Sequence, residues 1–200
     1  MKALLLTSDV NLELSEIQKP IPENDQVLVK LKAAALNKRD DWISQGKYPN
    51  IKPNTVLGAD GAGVIEAVGQ DVAPSIIGDE VIINPNINWG DDPKVQSSSY
   101  HILGMPMNGT FAEYVVIDSD RIHAKPKYLS WAESAALPLA GLTAFRALFK
   151  QGQLKQKENV LISGVGGGVA QFAFQFAYAA GANVYVTSGN QEKLDKCISM

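Results

Sequence analysis

Apolar and polar residues alternate in short runs through the first 125 positions and gather into longer apolar runs beyond them. Lys2–Leu6 and Leu12–Ile17 are short β-type runs, interrupted by the KPIPEND stretch at 19–25. Gln26–Ala35 alternates and predicts a strand. Asn37–Ser44 is polar around Trp42 and predicts a short helix, followed by a loop at Gly46-Lys47-Tyr48-Pro49. Val64–Val68, Glu80–Ile83 and Phe111–Ile117 predict further strands with glycine and proline between them. Many short strands with such punctuation suggest a partly open barrel. From Ser130 the pattern turns helical: Ser130 with Glu133 three positions later is a capping-box signal. Pro138 is expected to break that helix, and Gly141–Lys150 to begin another. The pattern therefore predicts a β-rich domain over 1–125 and an α/β domain over 126–200.

The second domain is organised around residues 159–189. Asn159–Ser163 is a short β-branched run, and Gly164, Gly166, Gly167 and Gly168 follow at once. Val169–Ala180 reads as an apolar helix closed by Gly181, and Val184–Thr187 as a second strand. Strand, glycine turn, helix and strand within about 30 residues form the βαβ unit of a dinucleotide-binding fold. Glycine lets the backbone turn tightly and approach a pyrophosphate, which then meets unpaired N–H groups and the positive end of the helix dipole. The spacing Gly164-x-x-Gly167-x-x-Ala170 is one residue longer than the usual fingerprint, and a glycine turn of another α/β protein is the plainer alternative. After the second strand come Ser188, Gly189 and Asn190, then Lys193. With no acid there to bind a ribose 2′-hydroxyl and a lysine within reach, the segment favours NADPH over NADH. The other reading of Lys193 is a solvated residue on the next helix.

Composition narrows the setting. The chain is 46% hydrophobic and 20% charged, as soluble globular chains are, and the apolar run at Val165–Ala182, which contains two Gln and several Gly and follows a phosphate-type turn, reads as a buried crossover helix and not a membrane span. Net charge is −3 without a basic cluster, which gives nucleic-acid binding no electrostatic support. The single cysteine, Cys197, forbids disulfides within the chain and fits a reducing compartment; with no secretion signal read at the start, a cytoplasmic protein is expected.

Five segments carry a family resemblance: LGADGAGVIEAVG at Leu57–Gly69, Gly78-Asp79-Glu80-Val81, NGTFAEYVVI at Asn108–Ile117, ALPLAGLTAF at Ala136–Phe145 and VLISGVGGGVA at Val160–Ala170. In kind and order they resemble medium-chain dehydrogenase/reductases, along the whole chain. The resemblance implies a GroES-like β domain followed by the first part of a Rossmann doubly wound parallel sheet, with an active site between the two and homodimers for a complete version. It implies that further strands of the sheet are missing after Met200, so that the 200-residue chain alone is expected to be inactive.

The zinc branch of that family resembles this chain but has cysteine where Asn37 stands and G-H-E where Gly58-Ala59-Asp60 stands. Its structural-zinc lobe would fall between Asn86 and Asn108, which holds no cysteine; His101 and His123 have no partner in the sequence. A catalytic zinc needs three protein ligands, so no metal is expected. The zinc-free branch resembles quinone oxidoreductases and enone reductases, whose pattern here is Asn37, Asp40, Trp42 and Tyr48, with Trp42 where tyrosine is usual. The implied function is NADPH-dependent reduction of a small-molecule quinone or α,β-unsaturated carbonyl. Asn37 would serve the oxyanion, nicotinamide or ribose, Asp40 would hold Asn37, and Tyr48 would offer a phenol. Without the resemblance, Asn37 reads as a helix cap and Asp40 as a solvated acid. Thr143 resembles a threonine near the nicotinamide, and Gly164, Gly166, Gly167, Gly168, Val169, Ser188, Gly189 and Lys193 complete the expected cofactor site. The alternatives are a zinc-type alcohol dehydrogenase relative and a non-catalytic nucleotide-binding or structural protein.

Overall fold

The computed structural model describes residues 1–199; Met200, the last residue of the predicted second domain, lies outside the described residues. The chain divides into two compact units, Met1–Leu139 and the residues from Ala140 onward. The sequence pattern put the change near residue 125, where the strands stop. The segment after it still packs on the first unit, through a short helix laid against strands of the main sheet.

The first unit runs β1 (Lys2–Leu6), β2 (Leu12–Glu16), β3 (Gln26–Ala35), α1 (Lys38–Ser44), β4 (Thr55–Val56), β5 (Asp60–Val68), β6 (Glu80–Ile83), β7 (Asn86–Ile87), β8 (His101–Ile102), β9 (Tyr114–Asp118), β10 (Ile122–Ala124) and α2 (Trp131–Ala135). The main sheet has the order β10-β6-β5-β3-β9, a second has β2-β1-β4, and β7 pairs with β8. All these pairings are antiparallel and none of the sheets closes on itself, in line with the expected partly open barrel. The alternating apolar positions of β3, β6 and β9 put Val27, Val29, Val81, Ile83, Val115 and Ile117 into one core with Ile65, Ile87 and Leu103. A smaller core of Leu6, Ile43, Leu57 and Met105 lies under α1, with Tyr48 and Phe111 packed against it.

Two strands begin away from their predicted positions. β5 starts at Asp60, not Val64, because Asp60–Gly63 pairs with the end of β3, Ala35 opposite Asp60 and Ala33 opposite Ala62. β9 starts at Tyr114, not Phe111, whose ring joins the smaller core.

α3 (Pro138–Phe145) leads from the first unit into the second. The helix capped by Ser130 ends at Ala135, before Pro138, as expected, and the next begins at Pro138 itself and not at Gly141: at a first turn the missing N–H costs nothing. The chain continues as a π-helical turn over Arg146–Gln151, then β11 (Asn159–Ile162), α4 (Gly168–Ala179), β12 (Asn183–Val186) and α5 (Gln191–Ile198). β11 and β12 pair in parallel, Leu161 opposite Tyr185. Ala173 and Ala177 of α4 form the core of this unit with Ile162, Ala144 and Leu148. α4 ends at Gly181, whose φ of 74° is the left-handed conformation of a helix-closing glycine. Among the described residues no helix is long and apolar enough to cross a membrane.

Candidate active site

The pairing of β3 with β5 builds the first part of the site. It leaves Asp60 beside the last residue of β3, and two residues later Asn37 caps α1. The side-chain amide of Asn37 therefore meets Asp60, its Nδ2 donating to Oδ2 at 2.9 Å. The other oxygen, Oδ1, accepts the backbone N–H of Leu139 at 2.8 Å, and the Asp60 carbonyl accepts the hydroxyl of Thr110 at 2.7 Å. Gly58 makes this approach possible: its φ is 96°, and a Cβ there would lie 2.6 Å from the Thr110 Oγ1 and 2.5 Å from the Phe111 ring.

Asp40, three residues into the turn, accepts the backbone N–H of Asn37 at 2.9 Å through Oδ2. It is 5% exposed, so it is no solvated first-turn acid. Arg39 lies beside it, its side chain 9% exposed and Nη1 3.8 Å from Asp40 Oδ1. Nη1 donates to the carbonyl of Leu103 at 2.9 Å, and the guanidinium carbon stands 5.2 Å from the centre of the Tyr48 ring. The Arg39 Nε and Nη2 and the Asp40 Oδ1 are buried without a hydrogen-bond partner.

Burial dominates the electrostatics. It pushes Asp60 up to about 6, although the bonds from Asn37 and Leu139 pull the other way; the Asp40 charge adds to the rise and Arg39 opposes it. Burial also raises Asp40, against the N–H of Asn37, the Arg39 charge and the N–H of Gly58. Asn37, Asp40 and Tyr48 are thus brought into one cluster, and Arg39 and Asp60 belong to it though the sequence did not single them out as catalytic candidates. Arg39 reads as an ordinary solvated charge on a short polar helix. Its position between two candidates was the available signal.

The cofactor candidates lie on the second unit. Gly164 has a φ of 65°, its N–H reaches the Thr187 hydroxyl at 3.3 Å, and the Val165 N–H donates to the Thr187 carbonyl at 3.0 Å. These bonds lash the glycine turn to the end of β12. Gly167 caps α4 without a side chain, so the first amides of the helix, at Gly168 and Val169, have no intrahelical acceptor. A Cβ on Gly166 would fall 2.7 Å from the Nζ of Lys193, whose side chain lies over the turn. Lys193 is held there by α5, whose cap Asn190 accepts the Lys193 N–H at 3.2 Å, while Ser188 Oγ accepts the Asn190 N–H at 3.1 Å. Nothing stands within 4 Å of a Cβ on Gly189. Thr143 is on the exposed side of α3, the helix whose Ala140 would stand 3.7 Å from a Cβ on Gly168. An open helix N-terminus behind glycines, with a lysine over it, fits a dinucleotide pyrophosphate and a further phosphate.

A zinc ion does not fit the first cluster. Asn37 turns an amide N–H on Asp60, both Asp60 oxygens accept hydrogen bonds, and the Ala59 side chain has no ligating atom. Among the described residues no three His, Cys, Asp or Glu side chains gather as a metal set. His101 is half-buried, with Nδ1 3.0 Å from the Ser99 carbonyl and Nε2 3.3 Å from the Met107 sulfur.

Comparison with known proteins agrees with this architecture. The alcohol dehydrogenase GroES-like domain matches residues 23–127. A zinc-type alcohol dehydrogenase-like protein of Schizosaccharomyces pombe is 46% identical over 173 residues, 85% of this chain and 50% of that protein. The human quinone oxidoreductase is 33% identical over 180 residues, 89% of this chain and 48% of its own length. The chain thus spans about half the length of the curated relatives it matches. A crystal structure of an NAD-dependent alcohol dehydrogenase superposes with a TM-score of 0.91 at 37% identity, covering 100% of this chain and 61% of that one. Antiparallel β unit, glycine turn and these matches together make the chain a member of the medium-chain dehydrogenase/reductase family, by way of its alcohol dehydrogenase GroES-like domain.

Proposed function

We propose that the protein is an NADPH-dependent, zinc-independent oxidoreductase that reduces quinones or α,β-unsaturated carbonyl compounds. The observation that carries this reading is the amide of Asn37 turned on Asp60, where a metal-using relative would present ligands. A bound nicotinamide would supply a hydride to the electron-poor carbon. The charge that builds on the carbonyl oxygen then calls for a hydrogen-bond donor and a proton. Beyond its bond to Asp60, Asn37 keeps one amide N–H to donate to that oxygen. Tyr48, against Arg39, offers a phenolic proton, and Asp40 holds the Asn37 backbone without transferring a proton itself. NADPH is preferred in this reading because Lys193 lies over the glycine turn and the residues directly after β12, Thr187 to Gln191, include no acid.

A second reading, a zinc-using alcohol dehydrogenase, is favoured by the name of the fission-yeast relative. Metal analysis and turnover separate the two. Protein purified without chelator is expected to hold no stoichiometric zinc, and NADPH oxidation by a panel of quinones and enones in the whole protein is expected to survive chelation. About one zinc per chain with activity lost on chelation would establish the second reading; NADPH binding without turnover of any panel member would point to a non-catalytic protein.

A further inference from the structure

Asp60 enters the scheme above only as an acceptor, yet its geometry constrains the residue that does the work. An ionised carboxylate has no hydrogen to give. Asp60 must then face the NH2 side of the Asn37 amide, as it does at 2.9 Å; the Asn37 side chain also faces the Asp40 backbone N–H in a capping box, and this leaves one amide N–H for a ligand. A protonated Asp60 can donate, and it can meet the amide oxygen instead. The same carboxylate takes the Leu139 N–H at 2.8 Å, a bond that weakens when the charge is lost. We propose that Asp60 is a positioning residue whose protonation state sets the polarity of the Asn37 amide and the hold on Leu139 at the start of α3. Ionised, it turns the Asn37 NH2 toward itself and grips Leu139. Protonated, it lets the amide turn over and loosens that grip. The consequence for catalysis rests on the reading of Asn37 given above; the switch itself is a property of the fold.

The charged groups bearing on Asp60 are Asp40 and Arg39, both on α1. Among the described residues, the strands, the helix and the turn at Pro74–Ile76 packed against β5 bring no other charge to bear on Asp60. β3 places Ala35 opposite Asp60, Glu80 of β6 pairs with Lys125, and Glu133 of α2 is exposed and bonded to Ser130. With burial pushing Asp60 up to about 6, the change of state is expected near that pH.

The test uses isotope-labelled protein and nuclear magnetic resonance from about pH 4.5 to about pH 8, across which a carboxyl of this kind changes charge. The Asp60 side-chain carboxyl carbon, the Asn37 side-chain nitrogen and the Leu139 amide are expected to follow one transition with a common midpoint near 6. In Asp60→Asn the Asn37 and Leu139 signals should be flat with pH. In Asp40→Asn all three midpoints should move down together, since the like charge is gone. Flat Asn37 and Leu139 signals in the unmodified protein, or midpoints about one unit or more away from that of Asp60, would overturn the proposal. So would transitions that persist in Asp60→Asn; if that variant does not fold, the three signals of the unmodified protein still decide. No cofactor or turnover enters this measurement. A shared transition in a protein inactive toward every quinone and enone would sink the functional reading and leave the switch standing.

Discussion

Asp60 and Arg39 show what single buried charges do to this fold. Asp60 is 1% exposed, and burial lifts its carboxyl from 3.8 to about 6. The folded state thus holds the proton more tightly than the unfolded chain, and the group lowers stability as pH rises through that interval. At one pK unit per 1.36 kcal/mol, the loss approaches about 3 kcal/mol and levels off about one pH unit above 6. Denaturant unfolding should therefore find the unmodified protein losing ground to Asp60→Asn between about pH 4 and about pH 6, by a few kcal/mol. A difference that does not change across this range would show that Asp60 is not titrating as a buried group. Arg39 works in the opposite sense. Among the described residues it is the one cation bearing on two buried carboxyls, and it is bonded to Leu103 and laid against Tyr48. Arg39→Met leaves Asp40 uncompensated and should cost about 3–5 kcal/mol at neutral pH, with a smaller loss for Arg39→Lys, which keeps the charge and gives up the planar contact. Sub-kcal/mol losses for both in the same unfolding experiment would mean that the guanidinium does not support the cluster.

Among the elements, α4 and α5 meet at the glycine turn, and each supplies something the other cannot. α4 offers uncapped amides, and α5 carries Lys193 over Gly166 from a turn fixed by Asn190 and Ser188. A charge-assisted contact is worth roughly 1.5–3 kcal/mol, so Lys193→Ala should weaken NADPH about ten- to a hundredfold in a binding titration and leave NADH nearly unchanged. Equal weakening of both dinucleotides would show that Lys193 does not read the 2′-phosphate. This part of the molecule was legible in the sequence because period, glycines and β-branched runs all agree from Asn159 to Gly189. The first unit was legible in its long alternating strands and not in its short ones. The start of β5, Asp60-Gly61-Ala62-Gly63, has no strand propensity of its own; it is a strand because Ala33–Ala35 of β3 pairs with it. β4, β7 and β8 are two residues each, defined by partners far along the chain. The cluster around Asn37 was half legible for the same reason. Asn37, Asp40 and Tyr48 stand within one short stretch, whereas Asp60, Leu103 and Leu139 come to it through long-range pairing that no local pattern encodes.

For the 200-residue polypeptide as a whole, the second unit is expected to set how it behaves in solution. β11 and β12 pair only with each other among the described residues, so each strand has an edge without a partner strand. Parallel strands are stable when both faces are covered, and here Val160, Ile162, Val184 and Val186 pack on one side while Leu161 and Tyr185 stand on the other. Leu161 is 69% exposed and Tyr185 59%, and they are directly opposite in register, which makes a continuous apolar strip beside open edges. Such a combination recruits other chains. The first unit has no comparable need, since its main sheet is antiparallel and has a buried core of its own. Self-association through the second unit is therefore the expected outcome when the polypeptide is concentrated, seen as a sedimentation coefficient that rises with concentration. Replacing Leu161 and Tyr185 by lysine puts like charges across one strand pair and should suppress that rise, with the circular dichroism of the first unit's strands unchanged. A polypeptide that sediments as a monomer at every concentration, or a double-lysine variant that associates as strongly as the unmodified chain, would show that this strip does not govern its solution behaviour.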